Sequence, residues 1–327
     1  MDLLPAEEYR IGIICALPHE MTAAKAMLDE QHKPTGQANG DENVYQLGKV
    51  YEHNVVIAGL PAGRYGTVAA ASVAKDMLRT FTGLRFGLMV GIGGGIPNIK
   101  KGRDIRLGDV VISEPRGTLG GVLQYDLVKN LGEDEFERKG MLNPPPNLLL
   151  AALTSLQAEH DMNNSKVPEI LNSVFERYKK LEKSGYAFPG RDKDTLRCLG
   201  CIGNGLPEPC RLCTNGAINR GTREDDDPHF WYGTIASGNE LVKNAVRRDK
   251  LGEKYDAICV EMEAAGLMND FPCLIIRGIC DYADSHKNDE WQKYAALTSA
   301  AYAKELLGFI SAERTQLQKP ATEVVSQ

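Results

Sequence analysis

The sequence predicts an α/β fold: a single domain over residues 1–310 with an insertion at about 127–229, and a flexible tail at 311–327. Three observations carry this. Short apolar, β-rich runs alternate with helical stretches from Tyr9 to about Asp126, and the alternation resumes at Phe230. Between them the chain becomes rich in Pro, Gly and charge. Carboxylates stand at or just past the ends of three apolar runs, the edge at which open α/β sheets bind ligands.

Taken in order, Tyr9–Leu17 reads as a strand, and Pro18-His19-Glu20 opens a helix that continues from Met21 to Glu30. Val44–Val50 and Val55–Leu60 are strand-like, and Thr67–Thr80 is an Ala-rich helix. Gly87–Gly91 and Asp109–Ser113 read as buried strands. The insertion contains Asn143-Pro-Pro-Pro-Asn147, an amphipathic helix at Leu148–His160, the charged stretch Tyr178–Lys183 and a Gly/Pro/Cys-rich loop. Past Phe230, Leu274–Ile279 is a strand and Trp291–Ile310 a helix, before a polar tail that is expected to fray.

The 327 residues, 43% of them hydrophobic, suffice for one large core. A net charge of −6 argues against a nucleic-acid partner, which needs a basic surface. No apolar stretch approaches a membrane span, and the acidic N-terminus lacks a secretory pattern. Cys15, Cys259, Cys273 and Cys280 lie in or beside strand-like runs as small buried hydrophobes, which suits a reducing, cytoplasmic setting.

The acids are the candidate site. Glu20 follows the first strand, Glu261 and Glu263 sit in Val260-Glu-Met-Glu-Ala-Ala-Gly266, and Asp281 ends Ile275-Ile-Arg-Gly-Ile-Cys-Asp281. Ionised carboxylates beside a core are costly unless they are paired or bind a ligand. Each has a plain alternative. Glu20 can serve the helix dipole, Glu261 or Glu263 can pair with Arg277, and Asp281 can cap the segment after it.

These residues resemble the nucleoside phosphorylase/nucleosidase superfamily, in particular its methylthioadenosine/S-adenosylhomocysteine nucleosidase branch and the related domain of fungal proteins. The segments that carry the resemblance are Ile11–Glu20, Val90-Gly-Ile-Gly-Gly-Gly95, Leu107–Val111, Ser237-Gly-Asn239 (Asn where the family has Asp), Glu261-Met-Glu263 and Cys280-Asp281. The resemblance implies a three-layer fold, a central mixed twisted sheet flanked by helices, in a homo-oligomer. It implies hydrolysis of the N-ribosidic bond of a purine nucleoside or nucleotide, with adenine as the favoured base. Asp281 would be the acid at N7 of the leaving base and Glu20 the carboxylate that activates water. Met262 and Glu263 would hold the ribose, and Gly91, Gly93, Leu241 and Cys280 would line the pocket, with the glycine run expected to form a tight turn. No cofactor is implied for catalysis.

Two alternatives stay open: a phosphate-dependent phosphorylase and a non-catalytic nucleoside-sensing module. The phosphorylase branch carries Arg and Ser in the turn that here reads Met89-Val-Gly-Ile92, and Glu20 would repel phosphate. Arg64 and Arg116 could still reach an anion, which keeps a 5′-phosphate on the substrate, ATP included, in play. The chain has no Walker motif or solenoid repeat of the kind fused to related domains, and its acids are intact, which favours an enzyme. In the insertion, Cys198, Cys201, Cys210 and Cys213 form two CxxC pairs, a candidate structural zinc site. Arg220–Arg223 and the acidic run after it read as a solvated loop.

Overall fold

The computed structural model of the protein describes residues 4–132, 135–197, 213–214, 217–287 and 289–325. Its strands are β1 (Ile11–Cys15), β2 (Glu30–Gln31), β3 (Tyr45–Val50), β4 (His53–Gly59), β5 (Phe86–Gly95), β6 (Val110–Ser113), β7 (Val122–Gln124), β8 (Val128–Gly132), β9 (Glu135–Arg138), β10 (Cys213–Thr214), β11 (Ala217–Ile218), β12 (Phe230–Ser237), β13 (Ala257–Glu261) and β14 (Cys273–Asp281). The helices are α1 (Pro18–Ala26), α2 (Thr67–Thr80), α3 (Asn147–Met162), α4 (Val167–Arg177), the single turn α5 (Lys179–Leu181), α6 (Ala245–Tyr255), α7 (Gln292–Leu307), α8 (Ala312–Gln316) and α9 (Ala321–Val325).

Ten strands form one mixed sheet in the order β13-β12-β6-β14-β5-β1-β4-β3-β2, with β7 on β12. β5 runs parallel to both β1 and β14, so the C-terminal ends of these three strands share one edge. β13 then crosses antiparallel over the last residues of β5, pairing Cys259 with Gly95 and Val260 with Gly94. The five strands β5, β14, β6, β12 and β13 thereby close into a ring. The crossing brings the C-terminal end of β13 to the place where β1 and β14 end.

The glycine run expected to turn instead continues β5 to Gly95. A side chain at Gly93 would put its Cβ 2.6 Å from Cys259 Sγ and 3.1 Å from the Val260 carbonyl oxygen. The glycines therefore admit a crossing strand. They do not reverse the chain.

Period-two alternation sorts side chains to the two faces of the sheet. Ile11, Ile13, Leu88, Val90, Leu274 and Ile276 pack under α1, α3, α4 and α7, while Ile14, Met89 and Ile275 pack under α2. Residues assigned to the insertion join the first of these cores. Leu149, Leu153, Leu156, Leu171, Val174 and Tyr186 are buried in it with α7. The segment after Ser311 is also ordered onto the body: Thr315 and Ala321 are buried, and the Ala321 N–H donates to the Leu84 carbonyl at 2.8 Å. Its polarity masked this, because two buried side chains are enough to dock it. The four strand cysteines are free and buried, as their positions predicted. Among the described residues no helix is long and apolar enough to cross a membrane.

Candidate active site

Glu20 is set by the junction of β1 and α1. Pro18 starts the helix, where its missing N–H costs nothing. The Glu20 side chain then folds back so that Oε2 accepts the Ala16 and Leu17 N–H groups at 2.6 and 2.9 Å. Oε1 accepts the Ile92 N–H of β5 at 2.8 Å. The helix-start reading of Glu20 is therefore correct as far as it goes, but one oxygen is turned to another strand. Gly91 makes this possible, since a Cβ there would lie 2.5 Å from Glu20 Oε1 and 2.4 Å from Arg277 Nη1.

Arg277 is the centre of the charge arrangement. It is fully buried in β14, and its Nη2 donates to Glu261 Oε2 and approaches Glu263 Oε2 at 3.4 Å. Glu261 also accepts the Ala264 N–H from the turn after β13. Burial opposes the Arg277 charge, yet the carboxylates of Glu261, Glu263 and Glu20 outweigh it and raise the guanidinium's proton affinity. Glu263 differs from Glu261. Burial pushes its carboxyl up to about 7, with Arg277 pulling against this and Glu261 and Glu20 adding to it. Its Oε1 accepts the Gly66 N–H at 3.1 Å, which ties it to the start of α2.

That start is pinned from a second side. Gly66 has a φ of 94°, open to glycine at little cost, and Thr67 donates its N–H and its hydroxyl to Asn239 Oδ1, each at 3.1 Å. Asn239 Nδ2 in turn donates to Asp126 Oδ2 at 3.0 Å. An aspartate in this position would face Asp126 with no donor, which accounts for the amide.

Asp281 ends β14 at a bulge, almost fully buried. Its Oδ1 accepts the Ala283 N–H at 2.8 Å, the capping role anticipated for it, and Lys287 Nζ lies 2.9 Å from its Oδ2. Sequence reasoning missed Lys287. A single lysine in the polar loop Ser285-His286-Lys287 carries no periodic or spacing signal.

Glu20, Glu261, Met262, Glu263, Gly93, Cys280 and Asp281 line one cleft of about 830 Å³, with Tyr65, Leu241, Val242, Lys243 and Lys287 at its walls. Gly91, which lies behind Glu20 and Arg277, does not line it, and neither do Arg64 and Arg116. Arg64 is exposed, and Arg116 is half exposed beside Glu114 at 3.4 Å. The positive groups in the wall are lysines, among the described residues. His19, beside Glu20 in the chain, is half-buried, and burial lowers its proton affinity.

Beside this cleft, Arg220 and Arg223 depart from the expected solvated loop. Arg220 donates to the Tyr282 hydroxyl at 2.9 Å and pairs with Asp194 at 2.9 Å, while Arg223 Nη2 donates to buried Asp109 at 2.7 Å. With Arg106, Arg191 and Trp291 they line a second cavity of about 490 Å³. Their partners lie far off in sequence, so a local reading saw only a polar run. Cys198, Cys201 and Cys210 lie outside the described residues, and Cys213 is described only as backbone. Among the described residues no group of three or more His, Cys, Asp or Glu side chains could hold a metal ion.

The arrangement is accompanied by a match to the Phosphorylase superfamily over residues 10–312. The chain belongs to this family. It is 48% identical to a nucleotide-binding leucine-rich repeat (NLR)-like protein of Hyaloscypha variabilis over 94% of the chain. It spans about 30% of the length of that relative. A stretch of 80 residues, 23% of the chain and 16% of the other protein, is 36% identical to ATP nucleosidase Cap17 of Escherichia coli. Among solved structures, the 5′-methylthioadenosine/S-adenosylhomocysteine nucleosidase of Helicobacter pylori superposes with a TM-score of 0.58. It is 19% identical, over 93% of this chain and 99% of that one, and was solved with a 4-amino-pyrrolo[3,2-d]pyrimidine compound. The three-layer α/β superfamily fold expected from the sequence is thus the fold observed.

Proposed function

We propose that this superfamily member is a purine nucleosidase that hydrolyses the N-ribosidic bond of an adenine nucleoside or nucleotide and releases the free base. The observation that carries the reading is that Glu20, Glu263 and Asp281, from three separate strand ends, line one cleft. Breaking the bond builds positive charge at C1′ and negative charge on the purine. Asp281 is suited to protonate N7, and its carboxyl suits a base bearing a 6-amino group. Glu263 accepts the ribose hydroxyls, with Met262 against the sugar. Glu20 takes a proton from the attacking water, and a positioned acid or base of this kind contributes about 10² to 10⁴ in rate.

Water is favoured over phosphate by the groups around Glu20. Met89 is buried against Arg277, and the Ile92 N–H that could meet an anion is given to Glu20. A dianion would normally be met by Arg side chains. The nearby arginine, Arg277, is committed to Glu261. Lys243 and Lys287 in the wall, together with the likeness to an ATP nucleosidase, support including nucleotides among the substrates. The test is incubation with adenosine, inosine, methylthioadenosine, AMP and ATP, with and without phosphate. Free base with ribose, or with a ribose 5-phosphate, at a rate indifferent to phosphate is expected. Ribose 1-phosphate would make the protein a phosphorylase, and binding without turnover would make it a sensing module.

A further inference from the structure

The nucleosidase reading makes no use of Lys287, although its Nζ stands 2.9 Å from Asp281 Oδ2 on the cleft wall. The Asp281 side chain is 3% exposed and that of Lys287 is 20% exposed. The carboxylate therefore has almost no contact with bulk water of its own, and its ammonium neighbour does. Among the described residues, two other groups hydrogen-bond to Asp281. The Ala283 N–H at Oδ1 does not exchange on a catalytic timescale, and the Cys280 thiol, 3.1 Å from Oδ2, has its proton affinity pushed well up by burial. Of the three contacts, only Lys287 holds a labile proton and an opening to solvent.

We propose that Lys287 is the proton inlet of the leaving-group acid, a positioning residue that reloads Asp281 during each turnover. The inference rests on the nucleosidase reading and extends it. As the C1′–N9 bond breaks, its electron pair passes to the purine. The ammonium gives one proton to Asp281, Asp281 delivers one proton to N7, and the neutral amine regains a proton from solvent. The water that attacks C1′ gives its own proton to Glu20, which returns it to solvent as the products leave, so each turnover takes up one proton and releases one. Burial works against the Lys287 charge, and the Asp281 carboxylate more than offsets it, so the lysine is held protonated between turnovers. The titratable groups acting on it are Asp281 and Cys280 of β14, Cys259 of β13 and Asp289 further along its own loop, with Glu240 and Lys243 on the same cleft wall.

The experiment compares wild type, K287M and K287R on a purine riboside that wild type cleaves and on 4-nitrophenyl β-D-ribofuranoside, whose leaving group departs unprotonated. K287M should lose at least tenfold in kcat on the purine riboside, with KM within about twofold, and keep nitrophenyl hydrolysis within about twofold. K287R should stay as slow as K287M, because a guanidinium keeps the charge but does not release a proton. Purine hydrolysis by K287M near the wild-type rate, equal loss on both substrates, or full rescue by K287R would each overturn the proposal. If wild type does not accept the nitrophenyl riboside, the kcat–pH profile decides. An alkaline fall in wild type that is absent in K287M supports the relay, and identical profiles refute it. Failure of wild type to release any purine would sink the nucleosidase reading itself, a different result from an active wild type that is indifferent to K287M.

Discussion

Glu263→Gln should make the protein more stable at alkaline pH while weakening the ribose contact proposed for it. Burial raises the Glu263 carboxyl from an ordinary 4.5 to about 7, so between these values the folded chain keeps a proton that the unfolded chain has lost. The folded state binds more protons, and stability must fall as pH rises through this window. Below 4.5 both states are protonated and the effect vanishes; above 7 the full cost is present. A gap of about 2.5 pH units at about 1.4 kcal/mol each amounts to about 3 kcal/mol. For a chain of this length the unfolding entropy converts that to about 4–5 °C in melting temperature. The amide keeps an acceptor for the Gly66 N–H and has no charge to lose, while Glu261 still pairs with Arg277. The melting temperature of Glu263→Gln relative to wild type should therefore be several degrees higher at pH 8 than at pH 5, measured by calorimetry at constant ionic strength. A difference that does not change with pH would refute the argument and place the titration elsewhere. Substrate binding should weaken at both pH values.

Asp281→Asn should lower kcat on a purine nucleoside by about 10² or more with little change in binding, read by base release and by adenine titration; near wild-type turnover would remove Asp281 from the chemistry. Glu20→Gln should abolish measurable hydrolysis yet retain adenine binding by calorimetry, and persistent turnover would exclude Glu20 as the base. Asn239→Asp would set a carboxylate against Asp126 in place of a 3.0 Å hydrogen bond. It should cost about 1 kcal/mol in denaturant melts, more at pH 8 than at pH 4, and an unchanged midpoint would show that the start of α2 is held elsewhere.

The acids were legible because each stands in or at the end of a short apolar run that reads as a strand, while their meeting in one place depends on the crossing of β13 over β5. What stayed hidden depended on partners far off in sequence. The glycines of β5 look the same in a turn and in a strand crossed by another, and only the position of Cys259 tells the two apart. Arg220 and Arg223 sit in a polar, acidic stretch whose neighbours give no hint of Asp109, Asp194 or Tyr282. Arg277 was visible as a possible partner of one glutamate, but its approach to both comes from the turn after β13. Lys287 belongs to the same group: its meaning comes from the exposure difference between two side chains, which no spacing records.

The crossing of β13 over the glycines of β5 also limits how this pocket can diversify. Side chains cannot grow from Gly93 or Gly94 without crowding Cys259, Val260 or Asp281, so this part of the cleft wall is fixed by backbone. The exposed positions of its rim, Tyr65, Leu241 and Lys243, are free to change. On the proposed function, relatives on this scaffold should therefore keep the acids of the cleft and differ in the part of the substrate that extends outward. Redesign of substrate range should begin with those three positions.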